Sequence, residues 1–81
     1  MKQLLYFTAT WCAPCRQLGP IMNEVSNEVP VQKIDVDQNQ AMASQYGIRS
    51  VPTVLLVENN QEKARLVGLQ PKSRYIQLFK G

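Results

Sequence analysis

Apolar residues recur along the chain with two different periods, and the switches between them divide it into short elements. Leu4 to Ala9 is an apolar and aromatic run of strand length, which fits a buried strand. From Cys12 to Glu28 the residues Leu18, Ile21, Met22, Val25 and Val29 fall at three- and four-residue spacings, the signature of one face of an amphipathic helix. Both cysteines then lie in its first turn. Pro14 suits that turn, where its missing N–H has no intrahelical partner, whereas Pro20 falls inside the helix and is expected to kink it.

Val31 to Val36 alternates between apolar and polar side chains and reads as a second strand. Gln38 to Tyr46 reads as a short helix stopped by Gly47, which takes the left-handed conformation without steric cost. Thr53 to Glu58 is apolar and β-branched, and Asn59-Asn60 after it tolerates the positive φ angles of a tight hairpin turn. Glu62 to Gly68 is the returning strand, and a last helix begins near Pro71, using Tyr75, Ile76, Leu78 and Phe79 to cover a sheet. The order is β-α-β-α-β-β-α, with no repeat, low-complexity tract or linker. That predicts an α/β layer architecture in which the first crossover makes a parallel strand pair and the hairpin adds antiparallel strands.

Composition narrows the picture. The chain has 81 residues, 44% of them hydrophobic and 19% charged, values for one globular domain rather than a disordered segment. At this size only about 60% of the unfolded surface can be buried, so the core must be small. No apolar run approaches the roughly 18 residues of a membrane span. Leu4 to Phe7 is too short for a signal-peptide core and no small-residue cleavage site follows it, so a cytoplasmic location is expected. The net charge of +3 comes from basic residues scattered along the chain, without the basic face that nucleic-acid binding requires. A monomer is expected.

Two cysteines cannot build the multi-bridge framework of a small secreted domain, and a Cys12–Cys15 bridge closes too short a loop to stabilise much. The pair serves chemistry or a metal. Structural zinc needs four ligands, and the chain has no histidine and no further cysteine. Zinc would require a dimer sharing two pairs, and the bland alternative is a pair of inert buried thiols. For redox use the position has a physical basis. At a strand-to-helix junction Cys12 meets unpaired backbone N–H groups and the positive end of the helix dipole, which favour thiolate over thiol. Cys15, one turn further in and closer to the core, can then resolve a mixed disulfide formed on Cys12.

Trp11-Cys12-Ala13-Pro14-Cys15 resembles the thioredoxin active-site motif, with alanine where the family usually has glycine. The resemblance continues through Phe7-x-Ala9-x-Trp11, Pro20, Ile34-Asp35-Val36-Asp37-Gln38-Asn39, Tyr46-Gly47-Ile48-Arg49-Ser50-Val51-Pro52-Thr53 and Val67-Gly68, in the expected order over nearly the whole chain. It implies a minimal thioredoxin fold whose four-stranded mixed sheet is flanked by helices and lacks the family's usual first strand and helix. It implies Pro52 as a cis proline facing the cysteines, against the alternative of a trans proline at a strand start. The Val51 backbone would pair with a substrate peptide as an added strand. Trp11 would shield the thiols and contact substrates, or else be a plain core tryptophan. Ala13 and Pro14 complete the binding surface, and Gly68 would leave backbone room near the groove or simply end a strand.

The function implied is a protein-disulfide reductase with no bound cofactor, acting on disulfide-containing proteins and recycled by a thioredoxin-reductase-type flavoprotein. A glutathione-based donor, as in glutaredoxins, is the nearest alternative, although those enzymes more often carry a proline and then an aromatic between the cysteines. A binding subunit that lends this surface to a larger complex is a third. Two departures from the family bear on mechanism. Tyr6 stands where thioredoxins carry a buried aspartate beside the inner cysteine, while Lys33 matches the lysine that pairs with it. A buried or half-buried Lys33 ammonium would then favour a Cys15 thiolate, and Tyr6 would either relay the proton or merely pack. Thr8 also replaces a family tryptophan.

Overall fold

The computed structural model describes every residue from Met1 to Gly81. Its elements run β1 (Lys2–Thr8), α1 (Ala13–Val25), β2 (Val31–Asp35), α2 (Gln40–Gln45), β3 (Thr53–Glu58), β4 (Gln61–Val67) and α3 (Lys72–Lys80). The strands form one four-stranded sheet in the order β2-β1-β3-β4. β1 lies parallel to β2, with Tyr6 opposite Lys33, and antiparallel to β3, with Tyr6 opposite Val54. Hydrophobic pattern decides this order. β1 and β3 carry unbroken apolar runs that must be covered on both faces, so they take the centre, and the more polar β2 and β4 take the edges.

Each face of the sheet has its own core. On one side Leu4, Tyr6, Val54 and Leu56 pack with Leu18, Met22 and Val25 of α1 and Tyr75 of α3. On the other, Leu5, Phe7, Ile34, Leu55 and Val57 meet Met42, Ala43 and Tyr46 around α2. Full burial of each such aliphatic side chain stabilises the fold by about 1.5–3 kcal/mol. No helix is long and apolar enough to cross a membrane.

The helices are shorter than their apolar periodicity suggests, for local reasons. α1 stops at Val25 because Ser26 and Asn27 divert the backbone into a turn, where Ser26 Oγ donates to Asn23 O at 2.6 Å. It runs on through Pro20, which lies on the exposed face and withholds only the N–H due to the Arg16 carbonyl. α2 starts at Gln40 rather than Gln38 because Asp35 organises the preceding turn. Its carboxylate accepts from Asp37 N at 2.8 Å, and its carbonyl accepts from Asn39 Nδ2 at 3.0 Å and Gln38 N at 3.1 Å. Gly47 ends α2 with φ of +61°. Asn59 and Asn60 make the β3–β4 turn with φ of 55° and 66°, the conformation of a type I′ hairpin.

Both sheet edges are blunted. β2 presents exposed Gln32 and Lys33 and ends where the Asp35 carbonyl is already engaged. β4 is bulged beside Leu56/Val57 and exposes Gln61 to Arg65. Arg65 reaches back to close the other layer, donating to Tyr46 O at the end of α2 at 2.7 Å and pairing with Glu62 at 2.5 Å. Lys72 joins α3 to α1 by lying 2.9 Å from Glu28 and 3.6 Å from Glu24, and this neighbour holds the Glu28 carboxyl below its ordinary range.

Candidate active site at the start of the first helix

The strand β1 ends at Thr8 and the chain turns through Ala9 to Trp11 before α1 begins. Cys12 is the N-cap of α1, with extended backbone (φ −95°, ψ 114°), and its Sγ accepts from Cys15 N at 3.3 Å. Ala13 and Pro14 fill the first positions of the helix and are exposed, and no acidic residue lies in its first turn. Negative charge on Cys12 is therefore met by a helix N-terminus and a directed N–H, with no carboxylate there to oppose it.

Cys12 and Cys15 are joined as a disulfide with Cα atoms 5.2 Å apart. They are 5% and 3% exposed and pack with Ala9 between Val36 and Val51. Across from them the Val51–Pro52 peptide is cis, as the resemblance implies, and Pro52 is buried. Val51 O lies 3.5 Å from Cys12 Sγ. A disulfide sulfur carries no proton, so this is a contact in the oxidised protein. In the reduced protein the same carbonyl can accept from the thiol and so opposes the helix terminus. Thr53 Oγ1 donates to Ser50 O at 2.8 Å and fixes the turn that carries Val51 and Pro52.

Trp11 is 64% exposed, which rules out a core role. Its Nε1 donates to Asp37 Oδ2 at 2.8 Å, so the ring is held at the surface by the loop after β2. It lines a groove of about 130 Å³ with Val36, Ile48, Arg49, Ser50 and Val51. Gly68 N donates to Pro52 O at 2.8 Å, which places Gly68 beside the same turn. Its φ of +83° demands glycine, while a Cβ there would meet nothing within 4 Å. Backbone conformation, not close approach, accounts for the residue. α3 holds this loop from behind: the buried Tyr75 hydroxyl donates to Gly68 O and accepts from Gln70 N, both at 3.1 Å. Val67 and Leu69, on either side of Gly68, are 52% and 42% exposed.

On the inner side the structure corrects one expectation. Lys33 is exposed rather than buried or half-buried, because β2 is an edge strand and the side chain reaches water directly. It lines a pocket with Cys15 and Tyr6 but makes no hydrogen bond or ion pair across it. Tyr6 is 3% exposed and its hydroxyl donates to the Cys15 carbonyl at 3.2 Å, so its proton is engaged by backbone rather than aimed at sulfur. Sequence reasoning missed the roles of Asp37, Asp35 and Tyr75. The two aspartates stood within a quoted motif, but only distance in space shows what they touch. No group of His, Cys, Asp or Glu side chains is arranged to hold a metal ion.

A cysteine pair at a helix N-terminus, facing a cis proline across the end of a mixed sheet, defines a dithiol–disulfide oxidoreductase. Comparison with known proteins agrees. The Thioredoxin family model matches residues 1–80. The chain is 45% identical over 78 residues to the thioredoxin of Rickettsia bellii, covering 91% of this chain and 74% of that protein. It is 44% identical over 75 residues to the thioredoxin of Haemophilus influenzae, covering 88% and 70%. A solved thioredoxin variant from Halobacterium salinarum superposes with a TM-score of 0.90 at 40% identity, covering 98% of this chain and 72% of that one. The chain belongs to the thioredoxin family. Proteins of this family act on disulfide-bearing protein substrates and draw on a reductase-type electron donor.

Proposed function

We propose that this protein is a cytoplasmic, monomeric, single-domain protein-disulfide reductase in which Cys12 attacks and Cys15 resolves. The observation that carries the assignment is the hydrogen bond from Cys15 N to Cys12 Sγ at 3.3 Å, at the N-cap of a helix without first-turn acids. Cys12 thiolate attacks a substrate sulfur, and the other substrate sulfur leaves as thiolate. Cys15 then attacks Cys12 Sγ, forms the intramolecular disulfide and releases the second substrate thiolate. An external reductase returns two electrons and two protons. Substrate lies as an extended strand against the Val51 backbone, over Trp11, Ala13, Pro14, Pro52 and Gly68, with Val67 and Leu69 widening the apolar rim. The names of the relatives favour a flavoprotein reductase over glutathione as donor. Lys33, exposed, adds a solvent-screened positive potential near Cys15 rather than a buried counter-charge.

Mass spectrometry with a model protein disulfide tests the roles. Cys12→Ser is expected to abolish reduction, and Cys15→Ser to accumulate a mixed disulfide on Cys12. Trapping through Cys15 in the Cys12→Ser protein would reverse the assignment.

A further inference from the structure

Resolution requires Cys15 to lose its proton, because the thiolate and not the thiol attacks a disulfide. Cys15 is only 3% exposed and its surroundings are packed, so the proton needs a route. One cavity reaches it. A pocket of about 220 Å³ is walled by Cys15, Tyr6, Thr8, Arg16, Lys33 and Asp35, among others, and Cys12 takes no part in it. That volume has room for several waters.

Two polar side chains on its wall, Thr8 and Asp35, indicate where it leads. Thr8 is 7% exposed and makes no side-chain hydrogen bond within the protein, yet no fully buried polar atom is left unpaired. Its hydroxyl is therefore not sealed from solvent, and the side chain lines the pocket. Asp35, also on the wall, uses Oδ1 to accept from Asp37 N at 2.8 Å, while Oδ2 has no partner in the protein. The charged and titratable groups facing Asp35 are Lys33 on its own strand, Tyr6 from β1, Arg16 from α1 and Asp37 in the next turn. Lys33 and Arg16 carry cationic side chains that offer donors rather than acceptors, and the Arg16 guanidinium is turned to Thr10 O at 3.1 Å. Tyr6 is committed to the Cys15 carbonyl. Asp37 is bonded to Trp11 and lies outside the pocket wall. Asp35 is the one carboxylate on the wall.

We infer that this pocket is a hydrated proton path and that Asp35 is the proton acceptor for Cys15 during resolution. This rests on the reading of Cys15 as the resolving thiol. In the step, the Cys15 proton passes through pocket water to the Asp35 carboxylate as the Cys15–Cys12 bond forms. The Cys12–substrate bond breaks, and the substrate sulfur leaves with the electron pair. Asp35 then releases the proton to bulk water, and the same path returns a proton when the disulfide is reduced. Asp35 acts through water and touches neither sulfur.

The test is stopped-flow reaction of the reduced protein with a symmetric aromatic disulfide, in which attack by Cys12 and resolution by Cys15 each release one coloured thiolate. Asp35→Asn keeps an oxygen for Asp37 N but removes the proton acceptor. Near neutral pH the second phase is expected to slow about tenfold, less than the 10²–10⁴ of a base in direct contact. The first phase should stay within about twofold of the parent. Added imidazole, small enough to enter, should recover the second phase, and Asp35→Glu should retain most of it. A second phase whose rate and pH profile are unchanged in Asp35→Asn overturns the inference. So does a loss uniform across pH that imidazole leaves untouched, since that marks a structural effect. Absence of any second phase in the parent protein overturns the resolving role of Cys15 instead.

Discussion

The two sulfurs are bonded to one another, yet they look out on different surroundings. Cys12 lies against Val51 O and packs with Val36 and Val51, which line the shallow groove beside the surface-held Trp11. Cys15 faces a polar pocket of hydroxyls, cations and one carboxylate, with Tyr6 as its inner wall. The outer side suits recognition of an extended peptide, and the inner side suits movement of a proton. Substitutions on the two sides should therefore fail differently: outer ones in substrate affinity, inner ones in stability or in the resolving step.

The largest effect is expected from Tyr6→Asp. Tyr6 is 3% exposed inside the main core cluster, and the exposed Lys33 offers no buried partner for a new carboxylate. Losing the ring and desolvating a charge should cost about 4 kcal/mol or more. A chain of this length has a total stability of roughly 4–12 kcal/mol, so thermal melting should drop by about 15 °C or more. Burial raises a carboxyl pKa, so the deficit is fully present above the folded-state value and shrinks as pH falls toward that of the unfolded chain. A melting temperature within about 5 °C of the parent would show that the pocket hydrates a carboxylate at position 6, and that the inner side does not behave as core despite the burial of Tyr6.

Trp11→Ala should behave in the opposite way. The ring is 64% exposed, so its removal leaves the core intact and melting nearly unchanged. As an aromatic anchor it should lower kcat/KM for a protein disulfide by about tenfold, mainly through KM. A small disulfide that does not fill the groove should be reduced almost as fast as by the parent. Equal losses on both substrates would mean that Trp11 tunes the sulfur rather than binding the peptide.

The contrast between the two sides also explains what the sequence made legible. Element order, the asparagine turn, the stop at Gly47 and the cysteine turn all follow from short-range patterns, and they hold to within a few residues. The outer side is equally local: Trp11 adjoins Cys12, and Val51 and Pro52 sit together in one turn. The inner side depends on strand pairing. Lys33 stands opposite Tyr6 only because β2 lies parallel to β1, and it is exposed only because β2 is an edge. Alternation in Val31 to Val36 shows that one face is polar but not whether anything covers it. The hydrogen bond from Tyr6 to the Cys15 carbonyl and the link from Trp11 to Asp37 join residues 9 and 26 positions apart, and no spacing rule announces them.

The smallest effect should come from Lys33→Met, and it decides whether the inner side acts by charge or by proton transfer. A buried ammonium beside Cys15 would favour its thiolate strongly, and removing it would slow resolution at neutral pH. An exposed ammonium interacts across water, where Coulomb attraction at a given distance is several-fold weaker than in the protein interior and salt screens it over about 10 Å at 0.1 M. Lys33 is exposed and makes no ion pair across the pocket. The second stopped-flow phase in Lys33→Met should therefore fall by less than about twofold at 0.1 M salt, with the difference growing as salt is withdrawn. Stability should be unchanged, since no hydrogen bond or ion pair is lost. A tenfold, salt-independent loss would mean that the side chain folds inward when the disulfide opens. The charge of Lys33, rather than the carboxylate of Asp35, would then govern the proton on Cys15.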